Sequence, residues 1–397
     1  MTDFSATKAL FTLPEGMIYL DGNSLGPLPR ATAARVAQTV TEEWGKMLIT
    51  GWNKAGWMDK PMHVGDRIAR LIGAEAGHVV MGDTLSIKVY QALAACLDLN
   101  PKRRVILSDT GNFPSDLYMA EGLCRTLGQG YELKTVAPEA VLDAIDETVA
   151  VTMITEVDYR TGRRHNMAEI TARAHAHGAL TIWDLAHSAG AFQVELAACK
   201  ADFAVGCSYK YLNSGPGGPA FIYVAPRHAD HAIPALSGWQ GHAAPFAFDL
   251  DYRPATGAER LRVGTPPILQ LAALEASLDI WDSVDMQALR ATSLALTDRY
   301  IAGIEASCPS LILATPRDHA MRGSQVSFRH PEGYAIMQAM IARGVIGDFR
   351  APDIIRCGFT PLFIDETDVD RAVAIIADIM QNSLWDRPDY KTRAKVT

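Results

Sequence analysis

Between Thr181 and Pro219 the chain reads TIWDLAHSAGAFQVELAACKADFAVGCSYKYLNSGPGGP. An apolar run ends on Asp184, and His187 follows three residues later. A second apolar run, Asp202 to Ser208, ends on Tyr209 and Lys210, with Asn213 and the glycines at 215, 217 and 218 beyond it. One carboxylate and one lysine thus sit just past the ends of two short strands. In an open parallel sheet, ligands bind outside those carboxyl ends. A lysine that is to form an imine needs a neutral amine, and burial supplies it by disfavouring the ammonium. A carboxylate facing a pyridine nitrogen keeps that nitrogen protonated, so the ring can take up electrons from a bond breaking at an amino acid's α-carbon. Together they are the protein's share of pyridoxal 5'-phosphate (PLP) chemistry. A surface lysine after a strand and an aspartate capping a helix would leave the same two letters. His187 beside the acid, Tyr209 beside the lysine and the glycine-rich exit favour the chemistry.

The elements that must position these groups follow from the pattern around them. Strands are predicted at His78–Met81, Arg104–Ser108, Tyr131–Val136, Val149–Glu156, Leu180–Asp184 and Ala220–Val224. Helices are predicted beyond Thr84, over Ala137–Ile145 and over Met167–His177. This alternation argues for parallel βαβ units with helices on both faces, an α/β class. The helix after Thr84 starts just past a strand, where free N–H groups and the positive dipole end suit a phosphate. An ordinary helix cap reads identically. Phe113 precedes a proline and is predicted to lie outside a helix. Trp52 and Trp57 fall in the polar loop ITGWNKAGWMDKP, where an exposed indole must cover something, either a packing surface or a flat substrate. Past residue 268 come two helices. A second alternation then follows, with strands at Gln325–Phe328, Val345–Phe349 and 354–359 and helices at Gly333–Arg343 and Asp368–Asn382, which is a smaller α+β unit. Arg356 lies mid-strand with no acid fixed near it in sequence, so an incoming carboxylate is a candidate partner.

Composition narrows the class. The chain has 397 residues, 48% of them hydrophobic, and a net charge of -8 from 37 basic and 45 acidic side chains. With no basic cluster, nucleic acid is not expected as a partner. No run of about 18 apolar residues is present, so no membrane span is expected. The first residues, MTDFSATKALF, lack the basic and apolar regions of a signal peptide. Six scattered cysteines without a CxxC pair read as reduced thiols in a cytoplasmic protein, and the eleven histidines show no zinc spacing, so no metal is expected.

DLAHSAG followed by SYKYLNSGPGG resembles the core of the PLP enzymes of the aminotransferase fold, class V branch. SYKYLN, with YLDGNSLGP near the N-terminus, NFPSDLY, EVDYRTG and GWQGH, resembles kynureninases in particular. The resemblance runs from about residue 18 to 382. It implies a PLP-dependent transferase-like fold (fold type I), with a large domain on a mixed, mostly parallel sheet and a smaller α+β domain. The expected division is an N-terminal segment, 1–50, joining the small domain and the active site, a large domain at 51–270 and a small one at 271–397.

The residue roles below are those the resemblance implies. Lys210 carries the cofactor and moves the α-proton, Asp184 faces the ring nitrogen, and Tyr209 assists both phosphate binding and proton movement. Leu85 and Ser86 hold the phosphate, Phe113 stacks on the ring, and Asp116, Thr155 and His187 lie near it. Trp239 and Thr265 reach the phosphate across a homodimer interface. Asn23, Ser24, Trp57, Gly264 and Thr265 line the substrate pocket, and Arg356 takes the α-carboxylate. The implied reaction is hydrolytic cleavage of L-kynurenine to anthranilate and L-alanine, in tryptophan breakdown or a branch towards NAD. Trp57, Gly264 and Thr265 would form a flat wall with few partners for an added phenol, so L-kynurenine is expected over 3-hydroxykynurenine. The rival readings are a class V aminotransferase, a cysteine desulfurase, and a non-catalytic binding protein on the same scaffold. A desulfurase needs a nucleophilic cysteine on a mobile loop, and Cys357 lies on a predicted strand.

Overall fold

The computed structural model describes residues 2–393. Its centre is a seven-stranded sheet in the order Val79–Met81, Ala220–Val224, Phe203–Cys207, Leu180–Asp184, Val149–Thr155, Val105–Asp109 and Glu132–Val136. Ala220–Val224 runs antiparallel to both its neighbours and the remaining pairs are parallel. The two apolar runs around the lysine are therefore adjacent strands, paired with Asp184 opposite Val205. Five of these strands are buried along their whole length. That is why they read as continuous apolar runs without alternation: both faces are covered by helices.

The parallel arrangement brings chemistry from distant residues to one edge. Asp184 ends its strand, Thr155 ends the neighbouring one in register with it, and Lys210 follows the third. The helices Leu85–Leu99 and Pro114–Leu127 begin at the same edge, each straight after a strand of the sheet. Neither is capped by a side chain: Thr84 and Phe113 are extended N-cap residues whose side chains make no capping bond.

A second sheet, in the order Ile312–Leu313, Gln325–Arg329, Ile354–Gly358 and Asp348–Arg350, is antiparallel throughout. The helices Ile268–Trp281 and Met286–Ser307 lie between the two sheets in sequence, as the periodicity predicts. Two expected elements are broken in the structure. Residues 137–145 form a short 3-10 turn, Pro138–Ala140, and a single helical turn, Val141–Ala144, instead of one helix. Residues 345–349 split at Gly347, where an added Cβ would press on the Arg356 carbonyl. Val345–Ile346 pairs with Ile18–Tyr19, and Asp348–Arg350 joins the second sheet.

The N-terminal segment is stitched to both units. Ile18–Tyr19 adds a parallel strand to Val345–Ile346, and the Gly358 N–H donates to the Leu20 carbonyl at 2.7 Å. The Gly26 N–H donates to the Tyr209 carbonyl at 2.8 Å. A Cβ on Gly26 would overlap Asn213 Oδ1 and the Lys210 carbonyl, so only glycine lets this loop lie against the lysine turn. Gly26→Ala is expected to cost about 1–3 kcal/mol through forced displacement of one of the two loops. Thermal melts of the variant and wild type check it, and an unchanged Tm would show that the loops part without cost.

Candidate active site

Lys210 Nζ lies 3.0 Å from His187 Nε2. His187 is buried, and burial, with the Lys210 charge second, holds its imidazole well below the usual range. The ring is thus neutral. Nε2 is engaged by Lys210, while Nδ1 is buried and the Gln325 side chain is the hydrogen-bonding group that favours the protonated ring. Asp184 is also buried, and its Oδ1 accepts the Ala186 N–H at 2.9 Å. Burial pushes this carboxyl up to about 6 against the pull of Lys210 and the hydrogen bonds from Ala186 and Thr155. Asp116, in the first turn of the Pro114–Leu127 helix, is raised well above the carboxylate range by burial and by Asp184. Two buried carboxyls, both raised, thus feel the charge of one lysine.

The chemistry of this donor set fits PLP. A protonated ring nitrogen would supply Asp184 with a cation. The Leu85–Leu99 and Pro114–Leu127 helices present uncapped N-terminal N–H groups, and Ser86 Oγ and Ser115 Oγ lie 2.9 Å apart between them, a ready cradle for a phosphate. Phe113 is 40% exposed, with its ring edge-on to Tyr159 at 5.2 Å, which leaves a face open for stacking. Tyr209 has its ring 5.9 Å from Lys210 Nζ, and the charge of Cys207, then burial, raises its phenol.

On the other side of the lysine, Arg356 is fully buried. The expectation that it lacks a fixed acid is corrected here. Asp348, directly opposite in the neighbouring strand, forms an ion pair with Arg356 Nη2. The same Asp348 accepts from Ser24 Oγ at 3.0 Å and from Arg350 Nε at 2.8 Å, while Arg356 also donates to Ser24 Oγ at 2.6 Å and to the Tyr159 carbonyl at 2.5 Å. The acid was legible in the sequence. Arg350 and Ile354 pair across a three-residue turn, and counting back along that hairpin puts Asp348 opposite Arg356. Arg356 Nε and both polar atoms of Asn23 remain buried without a hydrogen-bond partner among the described residues. They leave donors and an acceptor that a ligand could satisfy.

Four expected site residues have other surroundings within the single chain. Trp57 is not an exposed indole. It is buried, donates Nε1–H to Glu43 at 2.8 Å and packs edge-on against Trp52. The expected loop is shortened: Gly51–Lys54 is a helical turn that holds Trp52, while residues 55–59, with Trp57, remain a non-helical turn before the helix Lys60–Leu71. Gly264 and Thr265 are exposed and line a small cleft with Asp83 and Arg262. Trp239 is likewise exposed, against Phe246. Cys357 is buried against the Tyr300 hydroxyl, and burial pushes its thiol up to about 12, the opposite of a nucleophile's environment.

Comparison with known proteins places this geometry. Residues 289–376 match the family model described as kynureninase C-terminal domain. The kynureninase of Pseudomonas fluorescens is 51% identical over 394 residues, covering 98% of this chain and 95% of that one. The chain belongs to the kynureninase family. The kynureninase of Burkholderia pseudomallei (strain 1106a) is 52% identical over the same length and coverage. Among solved structures, the cysteine desulfurase of Thermococcus onnurineus NA1 superposes with a TM-score of 0.81 at 18% identity, over 96% of this chain and 99% of that one. A C-DES variant with glycine linked to its PLP cofactor gives 0.80 at 17% identity, over 95% and 100%. At that distance the likeness is one of fold, the PLP-dependent one the resemblance implied.

The Trp57 environment yields a test. Trp57→Phe removes a buried hydrogen bond to a charged acceptor and is expected to lower stability by about 1.5–3 kcal/mol. KM for substrate should stay within twofold of wild type. A melt combined with steady-state kinetics checks both, and a large KM change with an unaltered Tm would return Trp57 to the substrate pocket.

Proposed function

We propose that this protein is a PLP-dependent hydrolase that cleaves L-kynurenine, with one water, to anthranilate and L-alanine, as a step of tryptophan breakdown. The observation that carries the reading is the meeting, at one sheet edge, of Lys210, neutral His187 and buried Asp184 with Arg356 across from them, in a chain about half identical to curated kynureninases over nearly its whole length. The cofactor, when bound, supplies the electron sink for the substrate's α-carbon. Lys210 holds the cofactor and removes the α-proton. Asp184, supported by Thr155, keeps the ring nitrogen protonated. The N–H groups at Leu85 and Ser86 hold the phosphate, Phe113 covers a ring face, and Tyr209 helps return protons. Arg356, with Asn23 and Ser24, orients the α-carboxylate. Water adds to the side-chain ketone and the β–γ bond breaks, so that the aryl carboxylate leaves and the three-carbon fragment is protonated to alanine.

The protein acts as a homodimer in this reading. Trp239, Phe246, Phe248 and Leu250 form an exposed apolar run beside Gly264 and Thr265, and a second copy covering it would bring Trp239 and Thr265 to the partner's phosphate site. Among the described residues, no helix is long and apolar enough to cross a membrane, which fits a cytoplasmic setting. The buried, high-pKa environment of Cys357 disfavours the desulfurase alternative. A direct assay decides the matter: purified holoprotein given L-kynurenine should release fluorescent anthranilate and an equal amount of alanine, and release of sulfide from cysteine instead would overturn the reading.

Two substitutions divide the roles. Borohydride treatment of the holoprotein should fix the cofactor on Lys210, and Asp184→Asn should lower turnover about 100-fold or more, because a neutral amide no longer matches the ring cation. A label on another lysine, or wild-type turnover in Asp184→Asn, would be decisive against these assignments. Arg356→Lys should retain PLP by absorbance while raising KM about tenfold to hundredfold, since a point charge cannot reproduce the guanidinium fork.

A further inference from the structure

Arg356 does not wait for its substrate as a bare cation, because Asp348 already neutralises it. A second acid, Asp21, lies in the same cluster. It sits in the turn Asp21–Leu25, whose Ser24 and Leu25 N–H groups donate to the Asp21 carbonyl at 2.9 and 3.1 Å. Ser24 then bridges Asp348 and Arg356 through its hydroxyl. Asp21 Oδ1 is buried and has no hydrogen-bond partner among the described residues. The described groups that act on Asp21 electrostatically come from every element packed there. Tyr19 precedes it, Tyr211 comes from the turn after Lys210, Asp348 and Arg350 lie on one strand, and Arg356 and Cys357 on the next.

The charges decide what happens when a substrate arrives. Two guanidiniums, Arg350 and Arg356, face two carboxylates, Asp21 and Asp348. An α-carboxylate delivered to Arg356 makes a third anion in a half-buried cluster, where like charges disfavour one another. Arg356 cannot shed its proton, and Asp348 is held by both arginines. Asp21 has one buried oxygen without a hydrogen-bond partner and is stabilised as an anion only by the Ser24 side chain and the more distant guanidiniums, whereas Asp348 sits in two ion pairs, so Asp21 is the group that can give up its charge at least cost. We propose that Asp21 takes up a proton as the substrate's α-carboxylate docks on Arg356, and that this carboxyl, through its protonation, sets how tightly the enzyme holds its substrate as pH changes. The inference rests on Arg356 being the carboxylate site. Its direction follows from the environment: burial, then Asp348, already raises Asp21 to about 7, and a further anion raises it more. Below that value the acid is neutral before binding and affinity is independent of its titration. Above it a proton must be drawn from solution, and affinity falls.

The test is the pH profile of KM for L-kynurenine from pH 6 to 9 in wild type, Asp21→Asn and Arg356→Lys holoenzymes. Wild-type KM should be flat below about pH 7 and then climb by up to about tenfold per pH unit. Asp21→Asn should match wild type at pH 6 and bind about tenfold more tightly than wild type near pH 8.5, because its amide never carries charge. If Asp21→Asn follows the wild-type profile, or is weaker by one constant factor at every pH as a merely structural residue would be, the inference is wrong. Should Arg356→Lys keep wild-type KM at pH 6, the carboxylate site itself is misassigned and both readings fall together. A measurement on wild type alone guards against a misfolded variant. 4-(2-Aminophenyl)-4-oxobutanoate, the substrate without its α-amine, carries the carboxylate but cannot react with Lys210. Calorimetric titration of this compound at pH 7.5, in buffers of different ionisation heat, should show net proton uptake by the protein, and zero uptake would overturn the proposal.

Discussion

Taking charge out of water is the constraint on which this structure turns. Asp184, Asp116, Asp348 and Arg356 are all buried, as are ion-paired charges elsewhere such as Lys60, paired with Glu275, and Asp202, paired with Arg227. An isolated buried ion is costly, and proteins relieve it by pairing, hydrogen bonding or protonation. Here the relief is deliberately incomplete. Lys210 does not offset the burial of Asp184, whose carboxyl stays raised, and Arg356 and Asn23 keep polar atoms without protein partners among the described residues. In the proposed reading, the ligands that complete such a site have complementary charge at matching ends: a pyridinium and phosphate on one side, an amino-acid carboxylate on the other.

The fold explains how that incompleteness persists without collapse. The strands that carry Thr155, Asp184 and the approach to Lys210 are buried between helices and hydrogen-bonded on both sides. Their carboxyl ends cannot relax towards one another without breaking the ladder. The Ser277 hydroxyl adds a brace by donating to the Leu212 carbonyl at 2.6 Å, just beyond the lysine turn. Strain-free rigidity of this kind is what lets a site keep unpaired polar atoms ready for a ligand.

Much of this was legible in the sequence, because parallel strands buried on both faces write themselves as apolar runs ending on polar residues. Asp184 and Lys210 could be picked out that way, and the Leu85–Leu99 helix start too. What escaped had other physical causes. Trp57 sits among Gly, Asn, Lys and Asp and does lie in a turn, yet tertiary packing buried its indole and gave it an acceptor in Glu43, outside the stretch being read. Local polarity cannot reveal such a partner. Asp348 is the reverse case, since its pairing with Arg356 follows from hairpin register alone. Asp21 lay inside the quoted motif YLDGNSLGP, but nothing in the letters says that one of its carboxylate oxygens would be buried without a partner beside Asp348.

The stitching of residues 18–26 onto both units bears on the order in which the site is made during synthesis. Every strand of the central sheet, and with it Asp184 and Lys210, has been translated by Val224. The strands carrying Asp348 and Arg356 are among the last elements made, and Ile18–Tyr19 has no strand to join until Val345–Ile346 emerges. Domains tend to fold as they leave the ribosome, N-terminal parts first. On that schedule the nascent chain can hold its cofactor before it can recognise a substrate, and the oldest residues in the chain are the last to find their place.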